Sequence, residues 1–149
     1  VDGECINEDN GECGGGEGCT PGFWKGPGND CHWVTYDPSD DYETVFGVDA
    51  SFTLSLEDTL AQGGGGENAL GRHAVAALLN AANGGVDYAF TTGGVIALVQ
   101  EAYANCSSNE CFNGYKAQLE AENEPTPCPI DACNSAENRD DGPRGRGRR

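Results

Sequence analysis

The side chains of this 149-residue chain that could do chemistry are eight cysteines, two histidines and 25 carboxylates. Cys5, Cys13, Cys19 and Cys31 lie near the start, and Cys106, Cys111, Cys128 and Cys133 near the end. None of the 74 residues between Cys31 and Cys106 is a cysteine. A structural zinc site needs close pairs of the C-x-x-C kind. The nearest pairs here, Cys106/Cys111 and Cys128/Cys133, are each five apart. An even number of cysteines at irregular spacing reads instead as a disulfide framework built in an oxidising compartment. Eight cysteines allow far too many pairings for the sequence to choose among. Oxidised, they leave no thiolate to act as nucleophile.

The histidines offer little more. His73 falls in an apolar stretch, where a packed ring bonded to a backbone group is expected, and His32 is expected to be exposed. The patterns G-x-S-x-G, H-E-x-x-H and the P-loop are absent, and no enzyme is expected. Two carboxylate clusters, Glu8-Asp9-Asn10-Gly11-Glu12 and Asp37-Pro38-Ser39-Asp40-Asp41, raise calcium as a weak reading. Neither has the alternating ligands of an EF-hand. Solvated acidic loops are the stronger reading, and no cofactor is expected. Asn105-Cys106-Ser107 is an N-x-S acceptor sequence for a glycan on Asn105. A disulfide through Cys106 could close first and block it. The end Arg146-Gly147-Arg148-Arg149 fits R-x-R-R, a cutting signal for furin-like proteases, and fits an ordinary basic terminus equally well.

Charge divides the chain. Residues 1–138 carry three cations (Lys25, Arg72 and Lys116) against 23 acids, a net −20. Residues 139–149 carry five arginines (Arg139, Arg144, Arg146, Arg148, Arg149) against Asp140 and Asp141, a net +3. The acidic body repels nucleic acid and anionic membranes. No apolar run approaches the ~18 residues that span a bilayer. The chain contains no methionine, which points to a processed product whose signal peptide was removed on secretion.

The elements that must hold these residues are helical. Residues 1–18 form an acidic Gly/Cys-rich arm, 19–133 a helical secreted domain, and 134–149 a flexible basic tail spanning up to ~50 Å if extended. Residues 23–52 hold seven of the twelve aromatics without helical or strand period, and read as an irregular wrap anchored in a core. Ser55 caps a short helix carrying Leu56 and Leu60. Residues 67–82 are apolar nearly all round and read as a buried helix ended by Asn83-Gly84-Gly85. A second long helix is predicted over 92–105 behind a Thr91 or Thr92 cap. A third runs from Ser108 to Asn123, with Phe112, Tyr115 and Leu119 inward and Lys116 four residues before Glu120. The fold class is therefore mostly α: a small disulfide-stapled bundle of three main helices and one short one.

The string Cys19-Thr20-Pro21-Gly22-Phe23-Trp24-Lys25 is the most specific in the chain. It resembles the C-[TS]-P-G-[YF]-W-K opening of a family of secreted microbial surface domains that close with C-P-[LI]. The resemblance runs over about residues 18–131, through Gly63–Gly66, the Arg72–Asn80 helix, the Tyr88–Val99 stretch and Cys128-Pro129-Ile130. It implies an extracellular module without catalytic activity, and it implies a bridge between Cys19 and Cys128. In a chain-entropy argument such a loop contributes on the order of 4–5 kcal/mol. The family's Thr-x-x-Glu cap is replaced here by Thr91-Thr92-Gly93-Gly94, a weaker start for that helix.

Two functions fit. In the first, the chain is an extracellular structural subunit that assembles with copies of itself, head to tail, into a fibre or coat. Arg144, Arg146, Arg148 and Arg149 of one molecule would then meet the acidic body of another. The alternative is a secreted binding or adhesion module released from a larger surface protein. Trp33 and Tyr36 would stack on carbohydrate in that case, although core filling is the stronger reading for both.

Overall fold

The computed structural model describes residues 16–124 and 128–130. Among these residues six α-helices follow in order: α1 Pro21–Lys25, α2 Tyr42–Phe46, α3 Leu56–Leu60, α4 Glu67–Ala82, α5 Thr92–Asn105 and α6 Asn109–Asn123. A single 3₁₀ turn, Pro27–His32, follows α1. Among the described residues there is no strand, only one antiparallel bridge between Asp41 and Ser55.

The three long helices and α3 form where their caps and patterns place them. Ser55, Thr91 and Ser108 accept the backbone N–H of Asp58, Gly94 and Cys111 through their side-chain oxygens. Each satisfies one of the orphan donors at a helix start. Gly93 and Gly94 therefore do not prevent α5 from being capped.

The wrap is less irregular than its aromatic pattern predicts. It contains α1, the 3₁₀ turn and α2, each a turn or two long. One turn is too short to show a period, and its stability comes from caps and packing. Thr20 Oγ1 accepts from Phe23 N–H, and Asp41 accepts from Thr44 N–H. Gly47, at φ +69°, ends α2 in the left-handed conformation that glycine favours.

Helix α4 is the centre of the molecule. Every residue from His73 to Asn80 is buried. It packs most extensively against α6, then against α5, α3 and α1. Trp24, Tyr42 and Phe46 reach the same core from the wrap, and Val86 and Tyr88 reach it from the extended segment between α4 and α5. The chain enters this arrangement at Glu17, which exchanges hydrogen bonds with Asp87. Disulfides hold two corners. Cys19 is bonded to Cys128, the pair the resemblance implies, and Cys106 to Cys111. Cys31 is also disulfide-bonded. No described helix is long and apolar enough to cross a membrane.

Candidate functional site

The described polar side chains converge at the junction of α4 and α6. Asn80 interrupts the apolar run of α4 and is fully buried. Its Oδ1 accepts from Cys19 N–H at 2.9 Å and from Trp24 Nε1–H at 3.0 Å. Its Nδ2 donates to Cys19 O at 2.9 Å and to Asn123 Oδ1 at 3.0 Å. Asn123, the last residue of α6, is equally buried. Its Oδ1 also accepts from the Tyr88 hydroxyl at 2.5 Å. Its Nδ2 donates to the backbone O and the Nδ1 of His73, both at 3.1 Å. Each amide thus makes its full complement of hydrogen bonds without water, and the orientation of each is dictated by the other's partners.

The ring of His73 inherits its tautomer from this network. Asn123 must present N–H to Nδ1, because its oxygen is already committed to Asn80 and Tyr88. Nδ1 is therefore an acceptor and the ring proton sits on Nε2. That edge faces Glu124 Oε2 at 3.5 Å. Burial disfavours the imidazolium most, and Lys116 and Arg72 add to the effect against the pull of Glu120, leaving the pKa lowered to about 4. Lys116 Nζ donates to Glu120 at 2.8 Å and holds that carboxyl below its ordinary range. Burial, and then Glu120 alongside, push Glu124 up. Burial also raises Tyr88.

His73, Glu120 and Glu124 bring one nitrogen and two carboxylate oxygens within 4.8 Å of one another, a spacing a metal could use. The far nitrogen of the ring is partnered differently from that of a metal-binding histidine. A metal-binding imidazole donates its other N–H to an acceptor. Here the other nitrogen faces a donor, and Asn123 cannot turn without breaking its bonds to Asn80 and Tyr88.

A second chain of side chains runs under α2. The Tyr103 hydroxyl donates to Glu67 Oε2 at 2.8 Å and lies 3.3 Å from the Tyr42 hydroxyl, which must then be the donor of that pair. Glu67 also receives Ser51 N–H at 2.9 Å and the Ser51 hydroxyl. Burial raises both tyrosines. Three hydrogen bonds commit this carboxylate to closing the wrap against α4 and α5.

The sequence candidates fall in several places. His73 is packed as expected, but its ring bonds to side chains and not to a backbone group. His32 is half-buried and stacks on Phe23. In the loop Asp37–Asp41, Asp40 accepts from Asp37 N–H at 2.9 Å and Asp41 caps α2, so two of its carboxylates serve the backbone. Trp33 and Tyr36 are half-buried and pack against the core. Asn105 is exposed and donates to the Tyr115 hydroxyl at 3.0 Å, beside the Cys106–Cys111 bridge. Cys5, Cys13, Cys133, the Glu8–Glu12 cluster and Arg144, Arg146, Arg148 and Arg149 lie outside the described residues.

Sequence reading missed Asn80, Tyr88, Asn123 and Glu124. Asn80 carries a signal, being an uncharged polar residue inside a run that is otherwise buried and apolar. Asn123 carries none, since an asparagine before a proline-rich segment reads as a helix stop. No family model matches the chain, and no curated protein and no solved structure matches it.

Proposed function

We propose that this protein is a secreted, non-catalytic structural subunit that assembles with copies of itself through its oppositely charged ends. One observation carries the reading: two of the helical domain's three cations, Arg72 and Lys116, are engaged internally, and the third, Lys25, stands exposed. Arg72 donates to the carbonyls of Gln62 and Gly64 at 3.0 and 2.8 Å. Lys116 is paired with Glu120. Most of the acids have no cation of their own domain to meet and stand exposed or half-exposed, among them Asp37, Asp49, Glu57, Asp58, Glu101 and Glu110. The arginines of 139–149 are the complementary charge within the same sequence. A basic end on one molecule meeting an acidic body on another is a heterologous contact, the kind that propagates.

The disulfides favour an extracellular setting for such a subunit. Asn105 would carry its glycan at the exposed α5–α6 corner, added before the Cys106–Cys111 bridge closes.

Sedimentation velocity and negative-stain microscopy of the full chain test the proposal. We expect oligomers or fibres at low salt that dissociate as ionic strength rises. Deleting Asp140–Arg149, or changing Arg144, Arg146, Arg148 and Arg149 to Gln, should give monomers with an unchanged circular dichroism spectrum. Assembly unaffected by the deletion would refute the role of the tail, and a monomer at high concentration at every salt tested would refute assembly altogether.

A further inference from the structure

Helix α6 is attached to the molecule in two ways. Covalently it is tied at its first turn, where Cys111 is bonded to Cys106, and just past its end, where Cys128 is bonded to Cys19. Between the ties it is held by packing of Phe112 and Leu119, by Asn113 Oδ1 accepting from Gly66 N–H at 2.8 Å, and by the contacts of Asn123 with His73, Asn80 and Tyr88. The geometry points to α6 as a proton-released strap, which lifts from α4 when His73 is protonated at Nδ1 and stays on its disulfide tethers.

The physical step is small and balanced. A proton from solvent takes the Nδ1 lone pair, and the hydrogen bond from Asn123 Nδ2–H to that lone pair is lost. Two donors then face each other at a distance of 3.1 Å. Asn123 cannot rotate to offer its oxygen, because Asn80 and Tyr88 hold it, and Asn80 is held by Cys19 and Trp24. Lifting α6 relieves the conflict and gives up the Asn123 bonds to Asn80, Tyr88 and the His73 carbonyl, exposing those groups to water. The groups facing His73 act in both directions. Glu120 favours the cation, and Lys116 and Arg72 oppose it. Glu124 faces the opposite edge of the ring and cannot replace the lost bond at Nδ1. Its own raised pKa means that the closed form takes up that proton more readily, which partly offsets the effect of His73.

The sign of the linkage follows. In a lifted strap His73 is solvated and titrates near 6.5, while in the closed form it titrates near 4. Proton uptake therefore favours the open form throughout that window, and the closed form is fully favoured only above it. The shift in the opening equilibrium from His73 alone is about thirtyfold by pH 5. Once detached, a helix this short is marginal in water and frays, so opening is visible in its amides.

The test is hydrogen exchange of the full, unreduced chain at pH 7.5, 5 and 4, corrected for intrinsic rates. The amides of Leu119–Asn123 should lose protection by ~10- to 30-fold at pH 5 while those of Val75–Leu79 in α4 keep theirs. In His73→Gln the side-chain oxygen can still accept from Asn123 but cannot titrate, and the loss should disappear. Unchanged protection in the wild type, the same loss in His73→Gln, or simultaneous loss in α4 and α6 would each overturn the inference. Should the variant not fold, the ¹³C–¹H shifts of the His73 ring in the unaltered protein decide. A midpoint within about half a unit of ordinary imidazole overturns it. A depressed midpoint coinciding with loss of the Asn123 side-chain amide signals supports it.

Discussion

Asn80 and Asn123 show how a polar residue can hold a small core together. A buried amide stabilises only when all its bonds are made, and removing one amide leaves its former partners unpaired. Asn80→Ala would orphan Cys19 N–H, Cys19 O and the Trp24 indole N–H, all buried beside the Cys19–Cys128 bridge. We expect a loss of at least about 3 kcal/mol in chemical denaturation with the disulfides intact. Asn80→Asp should be worse, since it turns a donor into an acceptor facing Cys19 O and Asn123 Oδ1. A loss below about 1 kcal/mol for Asn80→Ala would show that water takes over the orphaned groups. In sequence, Asn80 stands out as a lone polar interruption of an apolar helix. Its partners do not, because they are 61, 56 and 43 residues away.

At the scale of elements, local chemistry governs where helices begin and tertiary contact governs how closely they meet. The caps at Ser55, Thr91 and Ser108 are sequence features and appear as such in the structure. The start of α4 is different. Gly66 has no side chain to cap it, sits at φ +62°, and donates its N–H to Asn113 of α6. A Cβ on Gly66 would lie 2.1 Å from Asn109 Oδ1, so two helix starts share a space that only glycine leaves open. The run Gly63–Gly66 announces a break in the chain but not which glycine is irreplaceable. Gly66→Ala should cost about 2–4 kcal/mol, from backbone strain and the clash together. Adding Asn109→Gly should recover only the clash. Thermal melts of the single and double variants check this, and full recovery in the double variant would mean that the backbone conformation carries no strain.

The whole molecule is governed by charge and by its bridges. With Arg72 and Lys116 engaged internally, the acids of the helical domain repel one another in the folded state. Added salt screens that repulsion, so we expect the melting temperature to rise between low salt and about 1 M NaCl. The same titration should weaken assembly, which separates the stability of the domain from the contact between domains. A melting temperature that falls with salt would mean that favourable ion pairs outweigh the repulsion.

Sequence alone determined the cysteine framework, the charge division, and the bounds of α3 to α6, because caps, breakers and helical periodicity act over a few residues. It could not show the one-turn helices of the wrap, which are too short to carry a period. It could not choose a partner for any cysteine without the family resemblance, because pairing depends on which distant segments meet. Only the tertiary structure decided that Asn80, Asn123, Tyr88 and His73 form one network and that the ring nitrogen of His73 facing Asn123 must accept. Those assignments depend on contacts across 35 to 50 residues of chain, set by how α6 lies on α4.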